Sequence, residues 1–80
     1  MQHKDLDKIQ EYTVLYEQYK NLLTQTQRQV FELYYYQDLS YSEIAKIMAT
    51  SRSAAYDAVK KALAKLSKLN QEIYKNKYNK

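Results

Sequence analysis

The stretch Leu39-Ser-Tyr-Ser-Glu-Ile44 constrains this chain more than any other. Ser40 is spaced to accept from the backbone N–H of Glu43, and the Glu43 side chain to reach back to that of Ser40. This reciprocal capping box starts a helix. Leu39 and Ile44 flank the box as a hydrophobic staple, which fixes the angle at which the chain enters. The spacing predicts a short helix over about 41–48, with Ile44, Ala45, Ile47 and Met48 available to bury. Ala45 matters because the next helix must approach closely there. Ala49-Thr50 then reads as the turn, and Ser51 as the cap of a second helix. Two capped helices joined so tightly form a helix-turn-helix. Ala49 departs from the Gly or Asn that such turns favour, and costs roughly 1 kcal/mol if it keeps a positive φ.

The rest of the chain reads as support for that pair. Leu6, Ile9, Tyr12, Tyr16, Tyr19 and Leu23 recur at spacings of three and four, which predicts a first helix over 5–22 capped by Asp5. Val14, Leu15 and Leu22 widen its stripe beyond what a lone helix needs, leaving apolar surface for a second subunit. Thr24 and Gln27 form another capping box, opening a helix through about Gln37 with Val30, Phe31, Leu33 and Tyr34 inward. The run Tyr34-Tyr35-Tyr36 sweeps about 200° of a helix, so at least one ring should be partly exposed. After Ser51, Ala54, Ala55, Ala58 and Ala62 keep one side slim. Val59, Leu63, Leu66, Leu69 and Ile73 continue an apolar stripe, while Lys60, Lys61, Lys65 and Lys68 lie away from it. This last helix is predicted to reach about Tyr74. That exceeds the needs of a recognition helix, so its second half should pack on helix one or on a partner.

Composition enters at this point. The chain has 80 residues and no Gly, Pro or Cys. Without Gly or Pro, tight hairpins are hard to build, and the abundant Ala, Leu, Lys, Gln and Glu favour helix. The expectation is an all-α bundle of about four helices. Residues 1–80 form one domain, with 1–4 and 76–80 frayed. So short a chain buries only about 60–65% of its unfolded surface, and its core supplies about 3–5 kcal/mol at most. A second copy or a bound partner would add to that. The missing cysteines remove disulfides and thiolate metal sites and fit a reducing cytosol. No apolar run of about 18 residues spans a membrane, and the first residues lack a signal-peptide core, so a cytoplasmic location is expected.

The net charge of +4 is unevenly spread. Residues 1–45 hold four Lys/Arg against seven Asp/Glu, a net −3; residues 46–80 hold nine against two, a net +7. The basic half suits a polyanion partner, although a solvated lysine face gives the same count. Catalysis finds no constellation. His3 is the only histidine and sits at the terminus, so there is no nucleophile–base pair and no zinc set. Catalytic, cofactor and metal residues are therefore none. In a helix-turn-helix the first turns of the second helix enter the major groove. With Ser51 as cap, Ser51, Arg52, Ser53, Tyr56, Asp57 and Lys60 share the side opposite Ala55, Ala58 and Val59. The Arg52 fork matches guanine. Ser51 and Ser53 donate to phosphates, Tyr56 offers a face for a thymine methyl, and Lys60 and Lys61 contact phosphate. Asp57 repels phosphate unless Arg52 or, at the better spacing, Lys61 neutralises it. Each side chain taken singly also fits a plain surface role.

Residues 22–66 resemble region 4 of bacterial sigma factors. More closely, Leu22-Leu-Thr-x-x-Gln-Arg28, Leu33-Tyr-Tyr-Tyr-Gln-Asp-Leu-Ser40, Glu43-Ile-Ala45 and Ser51-Arg-Ser-Ala-Ala-Tyr-Asp57 resemble the YlxM family of small DNA-binding proteins, over about residues 20–73. The resemblance implies a sigma-region-4-like, four-helix fold, often dimeric. It also implies a gene neighbourhood shared with the signal recognition particle. Ala49 stands where that family has Asn or Gly, and Ala55 where a larger aliphatic is usual. Two functions follow as expectations. One is a dimeric regulator binding duplex DNA. The other is a non-enzymatic accessory in which the same basic face meets the RNA or protein of the signal recognition particle.

Overall fold

A computed structural model describes the backbone of residues 5–78 and the side-chain surroundings of residues 5–73. Among the described residues every regular element is helical. α1 spans Leu6–Tyr19 and closes in a 3-10 turn, Lys20–Leu22; α2 spans Gln25–Phe31 and continues as a π-helical turn, Glu32–Tyr36; α3 spans Tyr41–Ile47; α4 spans Arg52–Tyr78. The expected fraying of 1–4 and 79–80, and the place of His3, lie outside the described residues. α4 runs past its expected end near Tyr74 and through part of the tail expected to fray. No Gly or Pro follows Ile73 to stop it.

The caps form as their residues dictate. Asp5 accepts from the Asp7 N–H at 2.9 Å. Thr24 and Gln27 exchange bonds of 3.1 and 3.0 Å. Ser40 and Glu43 exchange bonds of 3.2 and 2.8 Å. These side chains satisfy amides that no helix turn can reach.

α4 is the element on which α1, α2 and α3 all pack. Two core clusters lie along it. In the first, Val30, Leu33, Tyr34, Ile44 and Ala45 close on Ala55, Val59 and Ala62. The second joins Tyr16, Leu23, Phe31 and Leu66. Here the Tyr16 and Phe31 rings stack at 4.3 Å and 8°. α1 and α2 are further held by crossed bonds: Tyr16 donates to Glu32, and Tyr36 donates to Glu17 at 2.7 Å. Farther along, Ser67 donates to Tyr12 at 3.5 Å and Tyr19 to Asn70 at 3.4 Å. α4 therefore packs on α1 through Leu66, Ser67 and Asn70, while Ile73, expected on the same apolar stripe, is exposed.

Two details refine the sequence reading. In the π turn, Gln37 donates to the Glu32 carbonyl at 3.0 Å. The wider turn gives fewer degrees per residue, so Tyr34 is buried and Tyr35 half-buried while Tyr36 remains 48% exposed. Ile47, expected inward, is 54% exposed. Ile44, Ala45 and Met48 fall within about 100° of one another on α3, and Ile47 lies outside that arc. Ala54 is likewise exposed, leaving Ala55, Ala58 and Ala62 as the slim side. Leu6, Val14 and Leu22 are uncovered on α1.

Candidate nucleic-acid interface

The start of α4 is set by the corner before it. Ala49 has φ 54°, in the left-handed region. Its N–H donates to the Lys46 carbonyl at 3.3 Å, and the Thr50 N–H to the Ala45 carbonyl at 2.9 Å. This pair of bonds is a Schellman closure of α3 with alanine in the glycine position. Ser51 then accepts from the Ala54 N–H at 3.0 Å and caps α4 as expected. The turn holds because α3 and α4 bury Ile44 and Ala45 against Ala55 and Val59.

That packing sorts the predicted residues. Ser51, Arg52, Ser53, Tyr56, Asp57, Lys60 and Lys61 are all exposed, while Ala55 and Val59 are buried. The Lys60 ammonium lies 5.8 Å from the centre of the Tyr56 ring, a cation–π contact that steers its stem along the face. Asp57 pairs with Lys61 at 3.0 Å, both side chains well exposed. Lys61, and not Arg52, is the partner of Asp57. Arg52 and Lys60 thus keep their charge for an external anion, while Lys61 spends part of its field on Asp57.

The predicted set omits Tyr41, the first residue of α3. Its ring meets the Tyr56 ring edge-on at 5.0 Å and 80°. On its other side it stacks on Tyr34 at 5.0 Å and 9°, where its hydroxyl donates to that of Tyr34 at 3.2 Å. Burial, then this hydrogen bond, pushes the Tyr41 hydroxyl far above the usual tyrosine range. Tyr41, Arg52, Ser53 and Tyr56 line an open cavity of about 420 Å³. The α4 start and Tyr41 thus present a guanidinium, a serine hydroxyl and two tyrosine rings around one depression. No group of His, Cys, Asp and Glu that could hold a metal ion occurs among the described residues. Nor is any described helix long and apolar enough to cross a membrane.

Comparison with known proteins places this chain in a family. A family model described as "Putative helix-turn-helix protein, YlxM / p13 like" matches residues 6–80. A UPF0122 protein of Mycoplasma capricolum is 42% identical over 69 residues, which cover 86% of this chain and 61% of that protein. One of Oceanobacillus iheyensis is 36% identical over 69 residues, covering 86% and 66%. One of Caldanaerobacter subterraneus is 50% identical over 50 residues, covering 62% and 43%. The chain spans about half the length of the curated relatives it matches. No solved structure matches.

Proposed function

Because the chain belongs to the YlxM/p13-like helix-turn-helix family, we propose that it binds duplex DNA through the first turns of α4. The carrying observation is the two-sided start of that helix. Arg52, Ser53, Tyr56 and Lys60 are exposed together, while Ala55 and Val59 hold the opposite side against α3. Arg52 reads a base edge, guanine fitting its fork best. Ser51, Ser53 and Lys60 position the helix on phosphates, and Tyr56 meets a thymine methyl. Lys61 contributes less, because Asp57 shares its field. The protein acts in the cytoplasm as a non-enzymatic homodimer whose two α4 starts address half-sites about 34 Å apart.

Binding of labelled random duplex DNA, followed by anisotropy across a salt series, tests this. The affinity should fall linearly in log–log form, with a slope of about −0.9 for each phosphate contacted. No binding at low salt would remove the proposal. Competition by signal recognition particle RNA at concentrations where duplex DNA fails would replace DNA with that RNA as the partner.

A further inference from the structure

Beside the α4 start lies a second cleft, which shares Tyr56 and Lys60 with the duplex-facing set and extends from them to α1. It has a volume of about 400 Å³ and is lined by Tyr12, Tyr34, Tyr35, Tyr41 and Tyr56, with Lys8 and Lys60 at its polar rim. That volume lies within the roughly 300–1,000 Å³ typical of small-ligand sites. The rings form one connected series. Tyr12 stacks on Tyr35 at 6.3 Å, Tyr35 meets Tyr34 edge-on at 4.9 Å, Tyr34 stacks on Tyr41, and Tyr41 meets Tyr56. Lys8 comes from α1 and Lys60 from α4, and both are exposed. An aromatic wall between two cations has the chemistry of a nucleotide: a flat base for the rings and a phosphate for the ammonium groups.

We propose that this cleft holds an unpaired nucleotide of a nucleic-acid strand, its base on the exposed ring of Tyr56 and against the edges of Tyr35 and Tyr41, and its phosphate between Lys8 and Lys60. Tyr41 and Tyr56 also line the cavity that contains Arg52 and Ser53. The two depressions therefore flank one pair of rings, and successive bases of a strand fit on either side of it. That continuity selects a strand over a free mononucleotide. The inference rests on the nucleic-acid reading above and extends it from paired to unpaired bases.

Lys8 separates the two, because it lines the cleft and stands outside the duplex-facing set. The 80-residue chain is titrated into labelled oligothymidylate, and separately into labelled duplex, at one low salt concentration. The wild type should bind the single strand. Lys8→Gln should weaken that binding several-fold and leave duplex binding unchanged. Tyr56→Ala should weaken single-strand binding by about tenfold, as loss of one stacking surface does. Circular dichroism of each variant must match the wild type, and Tyr56→Phe should restore single-strand binding. Absence of single-strand binding, or equal loss on both substrates with Lys8→Gln, overturns the proposal whether or not duplex binding stands. Thymidine monophosphate competing as well as the oligonucleotide, per nucleotide, overturns the assignment to a strand.

Discussion

Asp57 and Lys61 close an ion pair of 3.0 Å one helical turn apart on the exposed side of α4. The pair places the only carboxylate of the proposed groove-facing set beside the cation that offsets it. Being solvent-exposed, it contributes little to stability, about 0.5 kcal/mol or less. Its consequence is electrostatic and falls on binding. Asp57→Asn should strengthen duplex binding a few-fold at low salt, on the order of 0.5–1 kcal/mol. The gain should fade as salt is raised. Lys61→Ala should weaken binding, and the double variant should bind more tightly than Lys61→Ala alone. Anisotropy titrations of the three variants at two salt concentrations give the comparison.

Arg52 and Lys60 carry charges that no neighbour on α4 offsets at close range, yet they are expected to act differently. Arg52→Ala should relax sequence preference, costing about 1–3 kcal/mol on the preferred site and little elsewhere. Lys60→Ala should weaken all sequences alike and reduce the salt slope by about 1. Selection from a random duplex pool, followed by titration of selected and unselected sequences, separates the two.

Ala49 holds φ 54° without the freedom of glycine. The left-handed region costs a residue with Cβ roughly 1–2 kcal/mol. Part of that is returned by the narrower unfolded ensemble of alanine. Ala49→Gly should therefore stabilise the protein by about 0.5–1 kcal/mol, read as a shift in the urea midpoint with unchanged slope.

Alkali should unfold this protein through its tyrosines. Burial and the bond to Glu17 push the Tyr36 hydroxyl up to about 12, and burial raises Tyr35 to about 12. Tyr16 is raised further, by its burial and by donation to Glu32, and Tyr41 by burial and its bond to Tyr34. Each folded-state value lies above the unfolded value of about 10. Their stabilisation is therefore complete below pH about 10 and lost as pH rises through the folded values. The thermal midpoint should hold steady to about pH 10 and then fall, with tyrosinate absorbance rising in step with loss of helical signal. Tyr16→Phe should be less stable at neutral pH by about 1 kcal/mol, having lost one hydrogen bond, and should unfold less steeply in alkali.

The capped starts of α2, α3 and α4 were legible because a cap is a local event, decided by two or three side chains at fixed spacing. Ser51 and the exposure of Arg52, Tyr56 and Lys60 followed from that register. What the sequence concealed depended on distant packing. The π turn at Glu32–Tyr36 departs from the regular helical period, so Tyr35 turns inward where an α-helix would carry it elsewhere. Asp38, with φ 55°, supplies a left-handed corner behind that turn. Asp tolerates this conformation better than most residues, the one clue available beforehand. Ile47 is apolar yet exposed because a helix as short as α3 shows only one narrow side to its neighbour. Tyr41 reads locally as an ordinary first-turn position of α3. It joins the interface only when α4 brings Tyr56 against it.

The unbroken length of α4 has a mechanical meaning. Its 27 residues form a rod of about 40 Å. One end carries Arg52 and Tyr56, and farther along Leu66, Ser67 and Asn70 are gripped by the tyrosines of α1. With no hinge residue between them, a tilt imposed at the α1 seam is delivered to Arg52 as a displacement. Because α2 and α3 grip the same rod nearer Arg52, through Ala55, Val59 and Ala62, its aim is held jointly by all three packed helices and not by the Ala49 corner alone.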